Sequence, residues 1–274
     1  MQEPPTASRR DRLERIRAWV VEDGFVRVER LAEAFGVSTM TVHRDLDELE
    51  RQGWLRKVRG GATAQPSVHF HGDVRHRLRT QEAAKEQLAR AAAARFLSPG
   101  ASVMLDESTT AYALVDLLPE HGPLTVVTHF LPAISELAGK PGVDLIALGG
   151  TYFPAYDAFF GIRTVSAIET LRADVLFMST TAISDGVCCH QSEETLAVKR
   201  ALMAAARSKV LLVDHTKFEM QALHELAPLD AFDMVIVDDR TPDARVAELR
   251  DAGIAVEVAG AEDLGGDVVR LDAR

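Results

Sequence analysis

The chain is poor in cysteine: Cys188 and Cys189 are the two it has, and they are neighbours. Adjacent cysteines cannot staple a domain, which excludes a disulfide framework and leads us to expect a reducing, cytoplasmic setting. No run of about 18 apolar residues exists to span a bilayer. The opening residues, MQEPPTASRRDR, lack the apolar core of a secretory signal. Short internal repeats and low-complexity tracts are missing as well. What remains is 274 residues, 47% hydrophobic and 26% charged. That is an ordinary globular composition, long enough for two domains.

A net positive charge is also missing, since the chain carries −10 at neutral pH. The deficit is uneven. Residues 1–62 hold 12 Lys/Arg against 11 Asp/Glu, and the remainder holds 19 against 30. A neutral-to-basic head on an acidic body implies different partners for the two parts.

Three short helices are legible in the head. Leu13, Ile16 and Val20 recur at helical spacing over roughly residues 9–22, and Val28, Leu31, Ala32 and Phe35 over a second segment that Gly36 ends. Ser38 has the character of the N-cap of a third helix, with Val37 and Val42 placed as a hydrophobic staple. On that helix Val42, Leu46 and Leu49 share one face. Met40, Arg44, Asp47 and Arg51 lie opposite, with Thr41 and His43 on the flanks. His43 and Arg44 belong to its first half, whereas Asp45, Asp47, Glu48 and Glu50 gather later. Phosphates would repel that acidic half, so a nucleic-acid contact would use the N-terminal end, the docking geometry of helix-turn-helix proteins.

Beyond the helix, W-L-R-K-V-R has strand character before Gly60-Gly61 turns the chain. Arg56, Lys57 and Arg59 on such a wing can grip backbone phosphate. The competing reading is a small helical module that binds another protein.

Residues 63–76 lack a clear period and read as a linker. His69 and His71 within it are too few for a metal site, and neither metal nor cofactor is expected. An Ala-rich helix follows over residues 77–97. Seven apolar runs then alternate with helical segments: 102–106, 124–128, 143–150, 173–180, 209–214, 233–239 and 254–258. This pattern predicts an α/β body, residues 77–274, with a largely parallel sheet whose ligands bind beyond the carboxyl ends of the strands.

The polar residues expected at those ends are Asp106, Ser108, Thr109 and Thr110 after the first strand, Thr128 after the second, Gly149 and Gly150 after the third, and Asp214 and Lys217 after the fifth. Hydroxyls and free amides at a helix start suit an anion. Lys217 can meet a phosphate, and Asp106 or Asp214 can accept from sugar hydroxyls. Singly, each is most often a cap or a turn; their convergence makes the site. Lys199 and Arg200 read as a helix face or subunit contact, and Cys188-Cys189-His190 as a loop.

The stretch VSTMTVHRDLDELERQGWLRKVRGGA resembles the signature of DeoR-type bacterial transcriptional regulators, a winged helix-turn-helix whose third helix reads V-S-x-x-T-x-x-R-D-L. By that resemblance Ser38, Thr39, Thr41, His43 and Arg44 face DNA. His43 stands where many members carry arginine, implying a different operator preference. L-D-E-S-T-T, V-V-T, L-G-G, L-R-A-D, V-K-R-A and L-V-D-H-T-K-F follow in the order of the family's sensor domain, which is similar to ribose-5-phosphate isomerase. Glu107-Ser108 replaces a common x-Gly pair. The resemblance implies a homo-oligomeric repressor of double-stranded operator DNA controlled by a phosphorylated sugar or related metabolite. The alternative is an isomerase-like enzyme carrying a DNA-binding head, with Asp106, Glu107 or Asp214 as general base.

Overall fold

A computed structural model describes residues 9–23, 25–51, 54–64 and 74–260. The chain forms two compact units: Met1–Arg77 with Phe153–Tyr156 make up the first, and Leu78–Tyr152 with Asp157–Arg274 the second. The expected linker histidines, His69 and His71, lie outside the described residues, as does most of the linker.

The first unit runs α1 (Arg9–Asp23), β1 (Phe25–Arg27), α2 (Val28–Phe35), α3 (Thr39–Arg51), β2 (Leu55–Val58) and β3 (Gly61–Ala64). Gly36 ends α2 in the left-handed region, φ 62°, and Val37 N–H reaches back to the Ala32 carbonyl at 3.1 Å. This tight turn suits glycine, which pays no Cβ penalty there. Ile16, Val20, Leu31, Val42, Leu46, Leu49 and Leu55 are buried in one core. The face expected for α3 is therefore the one it buries.

The wing is larger than the sequence pattern indicated. β2 and β3 form the hairpin, and β1 adds a third strand in the order β1-β3-β2, all antiparallel. A Cβ on Gly61 would sit 2.3 Å from the Val26 carbonyl oxygen, so this close strand approach requires a glycine.

The second unit contains the seven expected runs as one parallel sheet. Its strands are β4 (Ser102–Leu105), β5 (Leu124–Thr128), β6 (Val143–Ala147), β9 (Ala173–Met178), β12 (Ala206–Val213), β14 (Met234–Val237) and β15 (Val256–Val258). Their order is β15-β14-β12-β9-β4-β5-β6, and each adjacent pair is parallel. The central strands are buried on both faces, which is why they read as continuous apolar runs.

Three details differ from expectation. The Ala-rich helix is two helices, α4 (Val74–Arg79) and α5 (Glu82–Phe96), because Gln81 adopts a left-handed conformation at φ 56°. The helical segment between the runs 102–106 and 124–128 is only α6 (Thr109–Tyr112), followed by turns and a 3-10 segment. Cys188-Cys189-His190 is not a loop. It lies on β11 (Val187–His190), central in a three-stranded antiparallel sheet between β10 (Ala182–Ser184) and β13 (His224–Pro228). Its hairpin partner β10 is reached through a two-residue Asp185-Gly186 turn, both residues at positive φ, which is a local hairpin signal; its other partner, β13, is remote in sequence. A two-stranded sheet, β7 (Thr151–Phe153) with β8 (Ala158–Phe160), precedes α8 (Ile162–Glu169). The remaining helices are α7 (Leu131–Leu137), α9 (Glu193–Ala205) and α10 (Asp243–Asp251).

Candidate DNA interface and effector site

In the head, Ser38 accepts the Thr41 N–H at 3.2 Å and its hydroxyl lies 3.0 Å from that of Thr41, which fixes the start of α3. Ser38, Thr39, Met40, His43 and Arg44 are exposed and Thr41 is half-buried. The N-terminal half of α3 thus presents one polar row with a methionine in it. Asp45 faces the other way and is buried, its two oxygens 3.3 Å from Arg9 Nε and 2.7 Å from Arg12 Nε. This pairing ties α3 to α1 across the core and neutralises a carboxylate next to the exposed Arg44.

The wing cations differ from one another. Arg59 is exposed at the hairpin turn. Lys57 is not a free phosphate ligand: its ammonium pairs with Asp47, and its backbone N–H donates to Glu50 at 2.7 Å. Both acids lie on α3, so Lys57 braces the wing against that helix. Arg56 stands opposite Thr63 on β2.

In the body, the strand ends meet at the carboxyl edge of the sheet, and much of their polarity is consumed internally. Asp106 is fully buried. One of its oxygens accepts from Ser108 N–H at 3.0 Å and from the Ser108 hydroxyl; the other accepts from Ser179 N–H at 3.1 Å and from Lys199. Asp106 is therefore an internal anchor rather than a receiver of sugar hydroxyls, because both its oxygens are occupied. Ser108 also caps α6, accepting Ala111 N–H at 3.1 Å, while Thr109 and Thr110 are buried. With only four residues, α6 supplies little helix dipole. Thr128 is buried and accepts Phe130 N–H at 3.2 Å.

Gly149 is exposed, and its carbonyl accepts from Thr164 Oγ1 at 2.9 Å. A Cβ on Gly150 would fall 2.1 Å from Thr164 Oγ1 and 2.6 Å from the Phe160 carbonyl oxygen. The Gly150 position is thus explained by the close approach of α8 and β8, not by a ligand. Asp214 accepts from Thr216 N–H at 3.1 Å and from the Thr216 hydroxyl, capping the turn that carries Lys217. Lys217 Nζ stands 3.8 Å from Asp214, with its side chain partly exposed.

Lys199 differs from its expected place. It is buried on α9, neither an exposed helix face nor a subunit contact. Its ammonium touches Asp106, lies 3.2 Å from Glu107 Oε1 and donates to the Ser179 carbonyl at 3.1 Å. His129 Nε2 is 3.0 Å from the other Glu107 oxygen, with its ring edge-on to Phe160. Burial alone would raise the Glu107 carboxyl. The Lys199 ammonium and the His129 contact overcome it and hold the group well below its usual 4.5. Burial alone would likewise lower Lys199; Asp106 and Glu107 reverse this and raise it above 10.5. Glu107 and Lys199 therefore stay charged against one another.

A separate cavity of about 400 Å³ is lined by Ile183, Phe218, Leu229, Arg245 and neighbours, and none of the nine expected effector residues lines it. Among the described residues no group of His, Cys, Asp and Glu could hold a metal, and no helix is long and apolar enough to cross a membrane.

The DeoR-like helix-turn-helix domain matches residues 12–68, and the DeoR C-terminal sensor domain matches residues 80–239. The chain belongs to the DeoR family. Its relatives include the glycerol-3-phosphate regulon repressor of Escherichia coli K12, 31% identical over 240 residues, covering 87% of this chain and 94% of that protein. The L-fucose operon activator of Haemophilus influenzae is 31% identical over 231 residues, covering 84% and 92%. A solved D-ribose-5-phosphate isomerase in complex with phospho-erythronic acid shows 14% identity and a TM-score of 0.38, covering 50% of this chain and 54% of that one. The curated relatives are regulators rather than enzymes, so this DeoR-family chain is a DNA-binding transcriptional regulator and not an isomerase with an added head.

Proposed function

We propose that residues 1–62 bind a double-stranded operator through α3 and the wing, that residues 63–76 link them to the body, and that residues 77–274 sense a phosphorylated sugar or related metabolite. The observation that carries this reading is the division of α3. Its N-terminal half exposes Ser38, Thr39, His43 and Arg44, while Asp45 is neutralised in the core and Asp47 is paired with Lys57. Acidic groups that would repel phosphate are thereby held back from the docking end. Arg59 and Arg56 on the wing supply backbone contacts.

In the body, Lys217 and the exposed Gly149 edge offer the first contacts to an effector, with Ser108 and Asp214 shaping the neighbouring turns. The relatives are named for glycerol 3-phosphate and L-fucose regulation, which supports a small sugar-like effector. Repression is the sign we propose, with the protein acting in the cytoplasm as a homo-oligomer on repeated half-sites. The effector need only contact one arrangement of the protein better than the other.

The test is titration of the full chain against its own upstream DNA at several salt concentrations, with sugar phosphates added in turn. Tight binding that weakens steeply with salt and is reversed by one compound is expected. Salt-independent binding, or no binding to any duplex of that region, would overturn the reading.

A further inference from the structure

Met40 is the most exposed large apolar side chain among the described residues of the head, at 63%. It is the second residue of α3, one turn before Arg44 and in line with Arg44 and Asp47 on the face opposite the buried Val42, Leu46 and Leu49. Its neighbours Ser38, Thr39 and His43 are all polar and exposed. A long apolar side chain at the centre of this polar row adds nothing to core packing, because no part of the core covers it. It becomes buried only if a partner brings an apolar group to that spot.

In the DNA major groove the base edges offer one such group, the thymine C5-methyl; every other distinguishing feature is a hydrogen-bond donor or acceptor. Methionine suits that contact, since its unbranched, polarisable thioether adapts to a small methyl at variable distance. We propose that Met40 is a specificity-determining residue that reads a thymine methyl in each operator half-site. The proposal rests on the DNA-binding reading above. Four residues of helix rise about 6 Å and base pairs stack about 3.4 Å apart, so the thymine lies roughly two base pairs from the base that Arg44 contacts. Arg44 pairs there with guanine, the usual partner of a guanidinium.

Thymine and uracil differ by that methyl alone, so the experiment uses the upstream duplex with deoxyuridine replacing thymidine one position at a time. The full chain is expected to bind about fourfold more weakly when the contacted thymine is replaced, the worth of one buried methyl-sized group. Met40→Gln keeps the length but removes the apolar tip, and the thymine-to-uracil ratio is expected to fall to about one. A merely structural role would instead lower the thermal midpoint of Met40→Gln and leave the ratio unchanged. If the protein binds its operator specifically but no single uracil weakens it, or if Met40→Gln retains the ratio, the proposal is wrong while the DNA reading stands. If no upstream duplex binds specifically, both fall together.

Discussion

Lys199 and Glu107 meet 3.2 Å apart inside the body, one from α9 and the other from the loop after β4. With Asp106 on the same ammonium, they join the long helix to the carboxyl edge of the central strands. Replacing Lys199 by Met leaves two buried carboxylates facing each other. Removing one partner from a buried ion cluster costs about 3–5 kcal/mol, and urea unfolding of the body is expected to shift by that order. The double variant Lys199→Met with Glu107→Gln removes one of the stranded charges and is expected to recover part of the loss. Additive losses would show that the two residues do not act together.

The same cluster sets a pH window. Glu107 is held below its unfolded value of 4.5, so its stabilisation is complete above that pH and is lost as pH falls through the folded value. Lys199 is raised above 10.5, so its stabilisation is present below that pH and is lost as pH rises through the folded value. Body stability is expected to be level between these limits as far as this cluster contributes, and to fall on the acid side below about pH 4.5. Glu107→Gln is expected to flatten the acid limb in a series of thermal scans. An unchanged limb would remove Glu107 as its cause.

Much of this was legible in the sequence, and the residues that were not share a reason. The seven apolar runs became the seven parallel strands because buried parallel strands need side chains that are apolar on both faces. The buried stripe Val42, Leu46 and Leu49 followed directly from the helical period. Lys199 departs from the expectation because its charge argues for exposure while its period argues for burial: Thr195, Lys199 and Leu202 share the buried side of α9. Its two carboxylate partners lie on another element, and no local pattern announces them. Strand β11 was legible through its Asp185-Gly186 hairpin to β10, and only its second partner, β13, is distant in sequence. Asp106 was correctly placed at its strand tip, but its occupied oxygens depend on Ser179 and Lys199, which only the fold brings near.

Wing electrostatics offers a test in the head. Lys57 is already paired with Asp47, so its charge is partly spent before DNA arrives. Arg59→Ala is expected to reduce the slope of log affinity against log salt by about one unit, and Lys57→Ala by less. Asp47→Asn frees the lysine and removes a negative charge from α3. Non-specific DNA affinity is expected to rise and the salt slope to steepen. Equal slopes for Arg59→Ala and Lys57→Ala would mean that the Asp47 pairing does not persist on DNA.

The adjacent cysteines are expected to be chemically quiet. Burial pushes the Cys188 thiol up to about 12, and burial also raises Cys189. A thiol of that strength is thiolate in only about one part in ten thousand at pH 8. Iodoacetamide at pH 8 is expected to leave Cys188 unmodified in the native chain and to alkylate it readily in urea, read by intact mass. Rapid native labelling at Cys188 would show that β11 opens.

Arg44 and Lys217 separate the two halves of the regulator. Arg44 is exposed on α3 and away from the core, so Arg44→Ala removes a guanidinium without disturbing the helix. Losing one bidentate base contact costs about 1–3 kcal/mol, which is roughly five- to 150-fold in operator affinity per half-site. With two half-sites engaged, specific binding is expected to vanish against non-specific DNA while the body unfolds as before. Lys217 lies at the turn after β12, partly exposed and 3.8 Å from Asp214. Lys217→Ala is expected to bind the operator with unchanged affinity and to lose the response to the proposed sugar-phosphate effector. The two variants therefore fail in opposite assays. Operator affinity unchanged by Arg44→Ala would remove Arg44 from the interface, and a full effector response in Lys217→Ala would place the anion elsewhere on the body.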